Sequence, residues 1–344
     1  MKPGLQKILT HLIAVVVFLV IAAAYFYPQF QGKKIQQGDI VQYQGMSQEV
    51  RQYQAETGEY SLWTNAMFGG MPAYQIRTVS AGNQLSWTEQ VLRLGIPRPA
   101  GQFFAAMLCF YILLVVIGVN PWLSILGAFA FGFTTNNLIL YEAGHETKLR
   151  AISYLPLIAA GMILAYRQRS YLWGGILFAL GLGLDLTANH VQMTYYLAMT
   201  AVIYGIAQLI HDARAGKLAE FAKGSGALVI GAALAVGAVS SNLWVTYEYS
   251  KDTMRGEPIL ESAAGETDEN NSSQTDGLAW NYAMNWSNGT VDLFSVFIPG
   301  VAGGGSQEPT TRSSAYGQAM TQLGARLPQK FDAPLYWGAL PFTS

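Results

Sequence analysis

Long apolar runs alternate with short polar breaks over the first 245 residues of this chain. Seven runs reach or approach spanning length: Ile8–Tyr27, Phe103–Val119, Trp122–Tyr141, Ala151–Tyr166, Tyr171–Leu186, Met193–Ile210 and Ala227–Val245. A membrane-crossing helix needs about 20 mostly apolar residues, with a lower limit near 17. Several runs sit at that limit, so their helices are expected to extend into the flanks. Asn120-Pro121 predicts a tight turn between the second and third runs, because proline suits the first turn of a helix. The pattern predicts an all-α polytopic membrane protein.

The first run could also be a secretory leader, since Met1–Lys7 is basic and Ala22-Ala23-Ala24 offers small residues for cleavage. Leader cores span roughly 7–15 residues, and this run is longer. It ends in Tyr25-Phe26-Tyr27, which reads as an aromatic belt at a membrane interface. A retained helix is therefore expected.

The polar segments are unequal. Pro28–Gln102 is a long loop with a helix-like run around Met46–Glu56, a turn at Gly69-Gly70-Met71-Pro72, and an amphipathic run at Trp87–Leu94. Its Met and aromatic content suits segments lying on a membrane surface. Residues 1–247 read as a transmembrane module and 248–344 as a loop region on one face. Within the latter, Glu261–Asp276 reads as a mobile loop. Tyr336-Trp337-Gly338 resembles the approach to another span, so the chain is expected to be part of a longer protein.

Composition agrees with the pattern. Charged residues make up 12% and hydrophobic residues 51%, whereas soluble domains carry about 25% charged residues. A net charge of −1 offers no basic surface for nucleic acid, and the single cysteine, Cys109, excludes a disulfide within the chain. The short loops are asymmetric in Lys and Arg. With the N-terminus inside, Lys2, Lys7, Arg167, Arg169, Arg214, Lys217 and Lys223 are cytoplasmic, against Lys148 and Arg150 outside. The polar segments Pro28–Gln102, Tyr141–Arg150, the loop after Leu186 and the tail then share the outer face. In a bacterium that is the periplasmic side of the cytoplasmic membrane.

Tyr141–Arg150 is the densest polar segment between two apolar runs, and ionisable groups at such a place mark a functional site. Glu142, His145 and Glu146 have the spacing of one helical face. They suit a divalent cation such as Mg²⁺ or Mn²⁺, or pairing with Lys148 and Arg150 around a lipid phosphate. Asp39 follows the first span, where a carboxylate can act as a general base or merely cap a turn. Asp185 falls at the end of a span and should face the bundle interior. Asn189, His190 and Gln192 follow it, continued by Thr194, Tyr195 and Tyr196.

Together these segments resemble the YfhO family of bacterial membrane proteins, grouped with the GT-C glycosyltransferases. The residues carrying the resemblance are Gly38-Asp39 with Gln42; Trp63-Thr64 with Met67-Phe68-Gly69-Gly70-Met71-Pro72; Tyr141–Lys148; Asn189-His190-Val191-Gln192 with Thr194-Tyr195-Tyr196; and Trp286-Ser287 leading to Pro299-Gly300. The resemblance implies a GT-C-like seven-helix module. It implies transfer of a sugar from a polyprenyl-phosphate donor to a glycan, lipid or protein acceptor of the cell envelope. Asp39 matches the catalytic acid of the first loop, and Glu142 and Glu146 the second acidic position. Lys148, Arg150 and His190 would hold the donor phosphate. Gln42, Glu142, His145, Asn189, Gln192 and Tyr195 would bind substrate. A transporter or flippase of lipid-linked envelope precursors, with Asp185 and His190 as a proton relay, is the rival class, and a non-catalytic envelope scaffold a third. Transporters carry discontinuous helices, and no run here shows a clear mid-span break.

Overall fold

A computed structural model describes residues 3–76, 83, 87–253, 284, 318 and 321–324. The chain divides into two units, Met1–Asn242 and Leu243–Ser344. In the first unit α1 (Pro3–Tyr25) leads into a single turn, α2 (Tyr27–Phe30). The loop that follows carries α3 (Gly38–Met46), α4 (Gln48–Thr57), the two-residue strands β1 (Trp63–Thr64) and β2 (Met71–Pro72), and α5 (Thr88–Leu92). The strands pair antiparallel, Trp63 opposite Pro72. Then come α6 (Ala100–Val116), α7 (Pro121–Gly132), α8 (Thr135–Ala143), α9 (Glu146–Tyr166), α10 (Tyr171–Thr187), α11 (Val191–Arg214) and α12 (Leu218–Ala238). Helix α13 (Ser240–Ser250) runs across the unit boundary.

The described residues are mostly helical, and all seven apolar runs contain helix. Five segments among the described residues are long and apolar enough to cross a membrane: Ile8–Tyr25, Pro121–Ala143, Glu146–Tyr166, Val191–Arg214 and Leu218–Ala238. Helices α6 and α10 are shorter, at 17 residues each. Exposed apolar side chains cover α1 (Leu12, Val16, Val20), α11 (Val202, Ile203, Ile206) and α12 (Val229, Ile230, Leu234). Water would penalise such surfaces, whereas lipid would not.

Helix α9 is the central element. It packs on α10 with backbone in contact with backbone: a Cβ added at Gly161 would lie 2.5 Å from the Phe178 nitrogen and 2.8 Å from the Gly174 oxygen. Gly161→Ala should therefore push the two helices apart. We expect a cost of about 1–3 kcal/mol, read as a lower melting temperature of the detergent-solubilised protein. On the other flank α1 packs on α6. His11, the polar exception in the first run, hydrogen-bonds through Nδ1 to the Tyr111 hydroxyl at 2.8 Å.

At one end of the bundle Arg169 grips the fully buried Asp212 with two hydrogen bonds of 2.7 and 3.0 Å. Glu220 adds a contact to the same guanidinium at 3.4 Å. At the other end Phe26, Phe103, Phe133 and Tyr141 form an aromatic floor, with Phe26 and Phe103 centroids 4.8 Å apart. The candidate chemistry lies above that floor.

Two expectations need correction. The third run is not one continuous helix but breaks at Phe133-Thr134. Thr134 caps α8, and the fully buried Asn137 donates to the freed carbonyls of Phe131 (2.9 Å) and Gly132 (3.2 Å). The side chain thus repairs the hydrogen bonds lost at the break. The last run begins at Leu218 rather than Ala227 and ends at Ala238. Glu220 favours that earlier start, because its carboxylate suits a helix N-terminus and also meets Arg169. The expected helix around Met46–Glu56 is present as α4, and α3 ends against it at the buried Ser47, whose hydroxyl donates to the Tyr43 carbonyl at 2.7 Å.

In the second unit Lys251 pairs with Glu248 at 2.9 Å and stands 4.7 Å from the Tyr247 ring centre. The predicted mobile loop at Glu261–Asp276, the Trp286 and Pro299 segments and the predicted approach to another span lie outside the described residues.

Candidate functional site

The site begins with a helix end. Helix α8 stops at Ala143, and Gly144 turns the chain with φ +96°. A left-handed residue past the last turn is the usual way to satisfy terminal carbonyls, and glycine does it without strain. The Gly144 amide donates to Tyr141 O at 3.1 Å and the His145 amide to Leu140 O at 2.8 Å. His145 then stands at the N-cap of α9.

This corner receives α3 from the first loop. Gln37, buried at the start of α3, donates its side-chain amide to the Tyr141 carbonyl. The missing side chain of Gly144 makes the approach possible: a Cβ there would lie 2.9 Å from Asp39 Cβ. Asp39 Oδ2 thereby comes 2.9 Å from His145 Nε2, with side-chain exposures of 53% and 30%. Two residues from separate sequence motifs meet as an Asp–His pair open to solvent.

Beside it lies a second charged group that the sequence reading did not find. Glu89 on α5 is 5% exposed. It accepts two hydrogen bonds from Arg150 (3.0 and 2.7 Å), one from Arg98 (2.7 Å) and one from the Tyr154 hydroxyl (3.0 Å). Arg93 approaches it at 3.8 Å, and Arg98 reaches on to Glu146 at 3.7 Å. Burial pushes the Glu89 carboxyl pKa up, but Arg150 and Arg98 outweigh it and hold the group at about 2. Burial also opposes the charge on Arg98, and Glu89 overrides it, raising the guanidinium above its ordinary value. Glu89, Arg93, Arg98, Tyr141 and Glu146 line an open polar cleft of about 540 Å³. The available signal was the four-residue spacing of Glu89 and Arg93 within the run read only as an interfacial helix.

This network changes the expected roles. Arg150, expected at a donor phosphate, grips Glu89 through two hydrogen bonds. Lys148 makes no ion pair among the described residues. Glu142, His145 and Glu146 do not share one helical face, because Gly144 separates the exposed Glu142 on α8 from the other two. His145 pairs with Asp39 and Glu146 with Arg98. Among the described residues no three His, Cys, Asp or Glu side chains gather as a metal set. As arranged, these donors do not fit the implied cation.

His190 caps α11 near this corner. Burial, then the charges of Lys148 and His145, lower its pKa. Asn189 has φ +59°, and its Oδ1 accepts from Asn242 at 3.3 Å. Asp185 is fully buried, as expected, and accepts from Thr194 Oγ1 at 2.6 Å. Gln192 donates to the Tyr196 hydroxyl at 2.7 Å, and Tyr195 is 61% exposed on α11. Gln42 lies exposed one turn beyond Asp39 on α3. Asp39, His145, Lys148 and His190 thus gather at one corner, while Gln192 and Tyr195 lie on α11 beyond it. No family model matches the chain, and neither the curated proteins nor the solved structures contain a match to it.

Proposed function

We propose that this membrane protein transfers a sugar from a polyprenyl-phosphate donor to an envelope acceptor, with the Asp39–His145 pair as general base. The 2.9 Å contact between these two residues carries the reading. It joins the first-loop acid and the charged loop that the YfhO-like motifs single out. An Asp–His couple holds the imidazole in one orientation and stabilises the proton that it takes. The pair removes the proton of the acceptor hydroxyl. The freed oxygen attacks the anomeric carbon from the face opposite the phosphate. The carbon–oxygen bond to the phosphate breaks, its electron pair leaves on the phosphate, and the configuration inverts. Lys148 and His190, which share the corner with the pair, would bind sugar hydroxyls or the acceptor, with Asn189 next to His190 in the chain. On this reading the site is on the outer face of a bacterial cytoplasmic membrane and the N-terminus inside, following the Lys/Arg bias.

A transporter gains one observation from the split third span. However, Phe133 at the break packs on Phe26 beside the α1 terminus, and the break's polar groups are spent on repairing it. The observation does not outweigh the Asp–His pair.

Radiolabelled sugar transfer from a panel of polyprenyl-phosphate sugars, in membranes holding the whole protein, tests the reading. Donor-dependent transfer is expected, and none from folded protein would overturn it. Gly144→Ala is a sharper probe of the geometry. The new methyl must displace Asp39 and adopt a strained φ. Transfer should fall roughly 10–100-fold, as follows from misplacing a catalytic group by about 1 Å, with helical circular dichroism unchanged.

A further inference from the structure

The end of the bundle away from the Asp39–His145 corner carries an apolar groove of about 370 Å³ between α10 and α12. Its floor is made by glycines at which the two backbones touch. A Cβ added at Gly231 would lie 2.8 Å from the Gly175 oxygen, and one added at Gly175 would lie 3.0 Å from the Ala227 oxygen. Leu172 and Ile176 stand on one lip and Ile230 and Leu234 on the other, all four exposed. No charged residue is among the described lining residues. The lining runs from Tyr171 to Ala179 on α10, about 12 Å at a rise of about 1.5 Å per residue. The hydrocarbon core of a bilayer is about 30 Å thick, so the groove stays within one leaflet.

The mouth of the groove is charged where its walls are not. Lys223 precedes Ala227 by one turn of α12 and shares a helix face with Ile230 and Leu234. It is exposed and makes no ion pair among the described residues. Tyr171 and the exposed Trp173, in the first turn of α10, are the amphipathic rings expected at headgroup level. The same end of the bundle holds Arg167, Arg169, Arg214 and Lys217 against Asp212 and Glu220, and both carboxylates already contact Arg169. Positive charge is left over, and Lys223 is its member on the groove face. We propose that the groove binds one acyl chain of an anionic phospholipid, with Lys223 at the headgroup phosphate. Basic groups over a seam between spanning helices attract anionic headgroups, and the surplus charge here favours them over zwitterionic ones. Length argues against a spanning helix of a second copy, which would need a seam nearer 30 Å. The inference is independent of sugar transfer. Only the leaflet, the cytoplasmic one, rests on the N-terminus-inside reading.

Native mass spectrometry of the whole protein in detergent, titrated with phosphatidylglycerol, phosphatidylcholine or farnesyl phosphate, tests this. Phosphatidylglycerol should bind about fivefold tighter than phosphatidylcholine, the contribution expected of one lysine beside an anionic headgroup. Lys223→Gln, a change at an exposed position, should remove that preference. Lys33→Gln, which takes an exposed charge from the first loop, should leave it intact. Ile230→Trp sets a large ring on the exposed lip and should weaken phosphatidylglycerol binding without altering the fold. Equal binding of the two phospholipids, or wild-type phosphatidylglycerol binding by Lys223→Gln, would overturn the proposal. Farnesyl phosphate that binds as tightly as phosphatidylglycerol, with the same loss in Lys223→Gln, would overturn it by giving the groove to a single-chain lipid. A dimer that Ile230→Trp breaks would overturn it by giving the groove to a second copy of the chain.

Discussion

Glu89→Gln should be among the most damaging single changes in this protein. Glutamine keeps the size of the side chain and loses its charge. It would leave Arg98 and Arg150, with Arg93 close by, without their shared carboxylate in a site where Glu89 is 5% exposed. Breaking a buried ion pair by removing one partner costs about 3–5 kcal/mol. The detergent-solubilised variant should lose that much against thermal or denaturant unfolding, and a loss under 1 kcal/mol would show that the network is not structural. The same carboxylate makes stability depend on acid. Its pKa falls from 4.5 to about 2 on folding. Its contribution, about 3 kcal/mol by linkage, is complete above pH 4.5 and fades as pH drops toward 2. Wild-type stability should therefore decline across that window, and the Glu89→Gln variant, already without the contribution, should show a flatter profile.

Asp39→Asn should abolish sugar transfer while leaving stability nearly untouched. Asp39 is about half exposed and its main partner is His145, so the amide costs little in packing. On the proposed mechanism it removes the group that orients the imidazole. General base catalysis contributes about 10²–10⁴-fold, and the rate should drop by that factor with little change in donor KM. His145→Gln should fall by a similar amount if the pair acts as one unit, and the double variant should be no worse than either single one. A fully active Asp39→Asn protein would remove the pair from the mechanism.

Much of the bundle was legible because hydropathy reports burial in lipid directly. Each apolar run holds a helix, and Pro121 opens α7 as the expected turn at Asn120-Pro121 suggested, with Asn120 also accepting from the Trp122 amide at 2.9 Å. The break at Phe133-Thr134 was not legible, because its flanks stay apolar and the repair is made by one asparagine. In the site, Asp39 and His145 were each singled out from local pattern. That they touch depends on Gly144, a close approach that no periodicity encodes. Glu89 escaped notice for the opposite reason. It sits in a short amphipathic turn like many others, and its partners Arg98, Arg150 and Tyr154 come from three separate places in the chain.

The docking of α3 on the α8–α9 corner also sets an order in time. Gln37 and Tyr141 are 104 residues apart in the chain. At synthesis rates of about 5–20 residues per second, α3 emerges roughly 5–20 s before the carbonyl that fixes it. Throughout that interval Asp39 has neither its glycine seat nor its histidine. The proposed base cannot exist until the fourth apolar run has begun to form, so on that reading a nascent chain that stalls earlier carries Asp39 in an inert form.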